Sequence, residues 1–443
     1  MKYTLKISPS SNKAIFLHAN TLSNLAINEC NMNLTIGANK QIVKVDVHDD
    51  EESVIILSED VFNHFSIPTN LDYELTVNQN ELIIGPVIGL LVRGKTSEMT
   101  MERIRIYKNY MYGYKQINGL ILLFTSDGID EEKRIITGFA YDPIQNVWEK
   151  GTFPFPAAVF IRKTLKTSMR NQLERLIGSN YFNSHVFNKW EMWEWFSSND
   201  SLKGFFAETV LANDFPALEK LVNNHSSIYI KPASGMQGSG IYLLSKTEEG
   251  YTLKYRFKNE NISTLFDDWY SIQEYLQTEL KIERYIAQQG ISLIKENGRL
   301  MDLRVIVTKD HNGKWSVPGI VTKLGEENSI VSNISSGGSA EQVWETLQRI
   351  YQDSPKDAFR KYIELENLAI QCCKYLENKG LHLAYIGIDI GMDEHKNLWV
   401  IEINNRSPDM TIALDAKDEQ LYYKIKTAPL KYAKWLSGFR SVV

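Results

Sequence analysis

The sequence predicts a mixed α/β and α+β chain built from several domains. Three observations carry that expectation. The chain has 443 residues, too many for one hydrophobic core at roughly 150 residues per domain. Short strand signals crowd the first 85 residues, and a strand–helix–strand pattern follows. The second half alternates long hairpins with helical periodicity.

In residues 1–85 the runs "KQIVKVDV", "SVIILS" and "YELTVNQNELIIGP" are separated by turn residues, with Asn78 to Asn80 between two alternating runs. This reads as a small all-β domain containing a hairpin. It shows no chemistry, so a docking or oligomerisation role is expected. Over residues 86–165, "VIGLLV" and "GLILLFT" read as buried strands around an aromatic-rich helix from Glu102 to Gln116, an α/β unit. After "GTFPFP" breaks regular structure, Trp190, Trp193 and Trp195 recur at helical spacing and are expected in the core. "MDLRVIVTKDHNGKWSVPGIV" predicts a hairpin turning at Asn312-Gly313. Ile363, Leu368, Cys372 and Leu376 predict a helix over residues 355–379, ended by Gly380. A second hairpin, "YIGIDIGMDEHKNLWVIEINN", precedes a C-terminal helix with core positions Leu421, Ile425, Leu430 and Trp435.

Hydrophobic content of 43% and charged content of 23% are those of a soluble globular protein. A net charge of -5 gives no general attraction to nucleic acid or to anionic membrane. The three cysteines, Cys30, Cys372 and Cys373, offer no disulfide framework and no CxxC site, which favours a reducing compartment. The first twenty residues lack a signal-peptide core, and apolar runs such as "AAVFI" are too short to span a bilayer. A cytoplasmic protein is expected.

"KPASGMQGSGI" (Lys231 to Ile241) sits between two strand-like runs. Glycine allows positive φ and close approach, so Gly235, Gly238 and Gly240 can turn backbone N–H groups toward phosphate oxygens. Lys231 adds a fixed charge. The spacing is neither that of a Walker loop nor that of a Rossmann fingerprint. A glycine-rich hairpin without a ligand is the alternative, and this stretch alone leaves both open.

In the second hairpin Ile388 and Ile390 share one face, so Asp389 points the other way. On the return strand Ile401 and Ile403 share a face, which directs Glu402 and Asn404 together to the opposite one. Three oxygen-bearing side chains of this kind suit Mg²⁺, which takes few protein ligands and fills the rest with phosphate and water. The alternative is a solvated polar face, though Asp389 lies inside an otherwise apolar run, where a lone carboxylate is costly. Asp302 and Arg304 also share a face. They read either as part of a cross-strand surface ion pair or as a guanidinium aimed at a transferring phosphoryl group.

"KPASGMQGSGI", "YIAQQGI", "DLRVIVT", "SNISSGG", "GIDI" and "WVIEINN" occur in this order. Together they resemble the ATP-grasp superfamily over about residues 180–410, and in detail its ribosomal-protein glutamate ligases. The N-terminal segments and "FNKWEMWEW" resemble the YheC/YheD endospore coat-associated family over most of the chain. The resemblance implies an ATP-grasp fold, two α+β lobes enclosing ATP. It would place the nucleotide lobe at 166–290 and the metal-site lobe at 291–443, after a pre-ATP-grasp α/β unit (86–165) and the β domain (1–85).

The resemblance also implies roles. Lys189 would stand at the entrance of the nucleotide-binding lobe, and Lys231 would contact the α- and β-phosphates. The loop from Gly235 to Gly240, with Gln237 and Gly238, would cover them. Gln289, Gly290 and Ile291 would meet adenine, and Asp302 the ribose. Arg304 would stabilise the γ-phosphate and an acyl phosphate. Asn333 would join the phosphate site. Asp389, Glu402 and Asn404 would bind two Mg²⁺ ions. Apart from the resemblance, Arg406 reads either as a contact to a substrate carboxylate or as part of a surface ion pair. Two departures stand out. The hinge glutamate of the family is Gln289 here, and an arginine of the glutamate ligases is replaced by Val331, for which Lys323 can substitute. The implied activity is an ATP-dependent carboxylate–amine ligase acting through an acyl phosphate. Its substrates would be an amino acid and a peptide or protein tail, with spore coat proteins as partners. A non-catalytic ATP-binding coat protein and a kinase-like phosphoryl transferase are the alternatives.

Overall fold

Four sheets carry the chain, and the computed structural model describes residues 1–235, 240–257, 260–326, 337–352, 354–405 and 408–440. The first sheet has seven strands from Thr4–Ser8 to Glu81–Gly85. Its last two strands, Glu74–Asn78 and Glu81–Gly85, form the expected hairpin about Gln79. The segment is not made of strands alone, as the sequence suggested, because the short helices Ala19–Asn24 and Glu59–Phe65 interrupt it. Val61 and Phe65, four residues apart, bury one helical face against the sheet.

In the second sheet, Val87–Leu91 lies parallel to both Leu120–Phe124 and Ala158–Ile161. Every residue of these three strands is buried, which is why they read as unbroken apolar runs. The intervening helical segment is mostly 3₁₀, with Arg105–Gly113 between short α turns at Met101–Ile104 and Tyr114–Ile117. Tyr107, Tyr110 and Gly113 recur every third residue, the 3₁₀ period. Gly113 lies so close to Thr427 of the helix Glu419–Leu436 that a Cβ there would sit 2.0 Å from its Cγ2.

The third sheet is antiparallel, ordered Thr209–Leu211, Tyr285–Gln289, Ile228–Pro232, Tyr242–Thr247, Gly250–Phe257 and Glu260–Phe266. The helices Phe215–Asn224 and Trp269–Glu279 cover one face, packing Leu218, Leu221, Ile272 and Leu276 on Ile228, Ile230 and Ala287. Alternation then turns Lys231 to the other face.

The fourth sheet runs Ser339–Gln342, Trp315–Leu324, Arg299–Lys309, Tyr385–Met392, Leu398–Asn404. Both expected hairpins are present, the first turning through Asn312 and Gly313 at φ +73°. The predicted helix forms over Pro355–Asn378, capped by the Ser354 side chain. It buries Leu365, Leu368, Cys372, Cys373 and Leu376, while Ile363 is only half-buried. Helix Lys189–Ser197 differs from expectation in a similar way. Its fully buried positions are Met192 and Phe196, and the half-buried Trp193 and Trp195 pack against that core from outside.

The C-terminal helix Glu419–Leu436 ties the second and fourth sheets together. Tyr422, Ile425 and Leu430 share one apolar cluster with Ile88 and Tyr110 of the second sheet's unit and with Ile306 and Tyr385 of the fourth sheet. Among the described residues no helix is long and apolar enough to cross a membrane. Cys372 and Cys373 are fully buried in helix Pro355–Asn378, and burial pushes the Cys372 thiol up to about 12. We expect a thiol reagent at neutral pH to modify Cys30 alone in the native protein, and all three cysteines after denaturation. Modification of more than one thiol without unfolding would contradict this packing.

Candidate active site

Adjacent strands of the fourth sheet set charged residues opposite one another. Asp302 pairs with Lys323, Arg304 with Asp389, and Asp389 with Glu402 in the register of the strands. The contacts follow that register. Lys323 Nζ lies 2.7 Å from Asp302 Oδ1 and 3.2 Å from Asp389 Oδ2. Arg304 donates to both oxygens of Asp389, with Nη2 to Oδ2 at 3.1 Å, and its Nη1 reaches the Asp409 carbonyl at 3.2 Å. The Asn404 amide donates to Asp389 Oδ2 at 3.3 Å. Asp302, Arg304, Lys323 and Asp389 are all buried, so this is no surface ion pair. Burial alone would raise the Asp389 carboxyl, but Arg304 and Lys323 overcome it and hold it at about 2. Burial opposes the charge of Lys323 as well, and Asp302 and Asp389 outweigh it.

A β-bulge after Asp389 changes the phase of the return strand. Ile390 pairs with Val400, and Val400 rather than Ile401 joins Ile403 in the core. The expectation that Ile401 and Ile403 share the buried face is therefore corrected. Glu402 and Asn404, beyond the bulge, still point together. Gly387 leaves room for Arg304, whose Cδ would lie 3.1 Å from a Cβ at that position.

Two lysines stand near this array, one on a helix packed against the fourth sheet and one on the third sheet. Lys189, at the start of helix Lys189–Ser197, lies 3.1 Å from Glu402 and 3.4 Å from the Gly235 carbonyl. Lys231 donates to Gln288 on the neighbouring strand at 2.6 Å. Burial and the nearby Lys189 bring the Lys231 ammonium down to about 8, against the opposing pull of Glu402. The two lysines and Glu402 thus sense one another across the lobes. A cavity of about 750 Å³ opens here, lined among others by Lys189, Ala233, Gly235, Glu402 and Asn404. Among the described residues there is no group of three or more His, Cys, Asp or Glu side chains fit to hold a metal. Two carboxylates and an amide on one hairpin make a sparse oxygen set, of the kind that leaves positions for phosphate and water.

Residues 178–436 match the sequence model of the YheC/D like ATP-grasp family. The chain belongs to that family. Over 400 residues it is 27% identical to endospore coat-associated protein YheD of Bacillus subtilis (strain 168), covering 87% of this chain and 86% of the relative. It is 19% identical to endospore coat-associated protein YheC of the same organism over 331 residues, 72% of this chain and 88% of the relative. Among solved structures, the ATP-grasp ligase PsnB complexed with minimal precursor overlaps with a TM-score of 0.42 at 14% identity, covering 77% of this chain and 99% of that one. Membership supports ATP and Mg²⁺ as cofactors and an ATP-dependent ligase as the general activity.

Other expected site residues of the ATP-grasp chain take these places. Gln289 ends strand Tyr285–Gln289, and its side chain accepts from Glu208 N at 3.2 Å. Gly290 donates to the Ser227 carbonyl at 2.9 Å, and a Cβ would lie 2.4 Å from Ser227 Oγ. Ile291 follows, half-buried. Gly240 closes the glycine stretch at φ +71°. Gln237, Gly238, Val331, Asn333 and Arg406 lie outside the described residues.

Three contributors were missed. Gln288, the partner of Lys231, pairs with Tyr229 in the register, so alternation along "YIAQQ" would have put it on the Lys231 face. Asn183 accepts from Ala384 N at 2.9 Å and donates to the carbonyls of Tyr385 and Asn405. It thereby holds the start of the strand that carries Asp389. Glu208 binds His225 at 3.0 Å beside Gln289. Asn183 and Glu208 belong to no motif, and only the fold brings them in.

Asp389→Asn would leave Arg304 and Lys323 buried with less counter-charge. We expect a loss of about 3 kcal/mol of stability, the scale of breaking a buried pair. The folded-state value of Asp389 is depressed below its usual 3.8. Its contribution is therefore full above that value and is lost as pH falls toward about 2. Urea melts between pH 5 and 2 check this: wild type should lose stability across the window, and the variant should lose less. Equal slopes would contradict the assignment.

Proposed function

We propose that the protein is a carboxylate–amine ligase that proceeds through an acyl phosphate. The observation that carries the reading is the pairing of Lys189 with Glu402 at one cavity, beside the buried Asp389 array and near enough to Lys231 to shift its ammonium. In the first step, a carboxylate oxygen of the acceptor attacks the γ-phosphorus of ATP, and the bond to the β–γ bridging oxygen breaks, releasing ADP. In the second, an amine attacks the acyl carbon, phosphate leaves, and the nitrogen loses a proton as the amide forms. Bound Mg²⁺ ions, two by analogy with the superfamily, would neutralise phosphate charge at Asp389, Glu402 and Asn404.

The chain's own residues do the rest. Lys231 and Lys189 hold phosphate oxygens. Lys189 is paired with Glu402 in this structure, so nucleotide binding exchanges that partner for a phosphate. Arg304 and Lys323 fix the orientation of Asp389 and supply cationic charge where negative charge develops. Lys323, with its ammonium 3.2 Å from Asp389, brings a cation to the site despite Val331. Asp302, held by Lys323, stands as the ribose contact, with Gln289, Gly290 and Ile291 at the adenine. The coat-associated names of the relatives support a role in spore coat formation, with a peptide or protein tail as one substrate.

A second reading, an ATP-binding coat protein without catalysis, is favoured by one observation: Asp389 already accepts from Arg304, Lys323 and Asn404. Separate measurement of ATP binding and of magnesium-dependent ADP release decides between them. We expect Glu402→Ala to abolish ADP release while the circular dichroism spectrum and melting temperature stay near wild type. Undiminished ADP release in that variant would remove Glu402 from the metal site. ATP binding with no turnover by wild type, across a panel of amino acids and peptides, would favour the second reading.

A further inference from the structure

The cavity has a second end, remote from the phosphate site in sequence and built by other elements. Arg93 and Arg162 follow the carboxyl ends of the parallel strands Val87–Leu91 and Ala158–Ile161, the edge at which open parallel sheets receive ligands. Both line the cavity together with Tyr107, Tyr110, Tyr422 and Lys426. The Arg162 guanidinium lies 5.7 Å from the ring centre of Tyr110, 5.4 Å from Phe160 and 6.0 Å from Tyr385. Lys426 Nζ lies 5.0 Å from the Tyr110 ring and 5.5 Å from Tyr422.

Both cations are half-buried, and they differ from three of the fully buried ones. Lys309, Lys323 and Arg304 each have a carboxylate partner. Arg162 and Lys426 have none within ion-pair distance among the described residues. Arg162 Nε and Nη1 are buried without a hydrogen-bond partner, as are the hydroxyls of Tyr110 and Tyr385. Two unpaired cations and the unmet Tyr110 hydroxyl on one cavity are costly unless something completes them. Burial and Arg162 draw the Lys426 ammonium down to about 8, with Asp409 opposing, the direction expected of like charges held together.

We propose that Arg162 and Lys426, with the Tyr110 hydroxyl, form a subsite for a carboxylate of the ligase's amino acid or peptide substrate, distant from the group that reacts. The proposal rests on the ligase reading and adds the substrate class. Guanidinium, ammonium and phenol donors suit a single carboxylate. Tyr107, Tyr422 and the exposed Ile106 line the cavity beside it and give an apolar wall for a side chain.

The test is titration calorimetry with free amino acids and tri-alanine, with their amides, and with inorganic phosphate. It is run with and without Mg²⁺ and a non-hydrolysable ATP analogue. At least one free carboxylate should bind wild type, and its amide should not. Arg162→Gln and Lys426→Met should each weaken that binding at least about tenfold, leaving affinity for the ATP analogue unchanged. Melting temperatures should not fall, since each substitution removes an unpaired cation, whereas a purely structural role predicts a fall. No carboxylate binding, equal binding of the amides, stronger binding of phosphate, or unaltered binding by both variants would each overturn the proposal. Failure of wild type to bind the nucleotide would instead sink the ligase reading, and the nucleotide-free titration would still report on the pocket.

Discussion

Charge buried in the fourth sheet must be matched, and that constraint organises the site. Asp389 lies in a strand whose every residue is buried. Such a carboxylate survives only with cations in reach. The register supplies them from two neighbouring strands, Arg304 from one and Lys323 from the next. The same register sets Glu402 opposite Asp389 and turns it to the cavity, where it meets Lys189. A slip of one residue in either hairpin would flip these side chains to the wrong face. The geometry of the hairpins is thus the geometry of the site.

The junction between the second and fourth sheets depends on a different principle, shared apolar cores. The helix Glu419–Leu436 packs on both the second and fourth sheets, so the C-terminal segment is part of the cavity wall. Asn183 adds a polar clamp, spending its whole amide on the backbone of Ala384, Tyr385 and Asn405. Lys189 and Glu402 on one side and cationic, aromatic groups on the other are thereby held on one cavity. Without that shared packing between the second and fourth sheets the two ends would drift.

Legibility in the sequence followed range. Alternation within a strand is local, so Asp389, Glu402 and Asn404 were readable as one face from "GIDI" and "WVIEINN". So were both hairpins and the helix Pro355–Asn378. The bulge at Ile401 was not readable, because a single extra residue leaves no mark in an apolar run. Arg304 was expected to point at phosphate, and its observed partner is Asp389, which the register alone reveals. Short helices such as Glu59–Phe65 escaped notice because one or two turns give too few periodic positions. Arg162 and Lys426 are 264 positions apart in the chain, and neither sits in a motif. Their meeting is a product of tertiary packing.

The central claim is that both lobes enclose one nucleotide triphosphate. A crystal structure with Mg²⁺ and a non-hydrolysable ATP analogue tests it most directly. The account predicts the triphosphate between Lys231 and the Asp389–Glu402 pair, with Lys189 drawn from Glu402 to a phosphate oxygen. A nucleotide seated elsewhere, or phosphates that touch neither Lys231 nor a metal at Glu402, would contradict it.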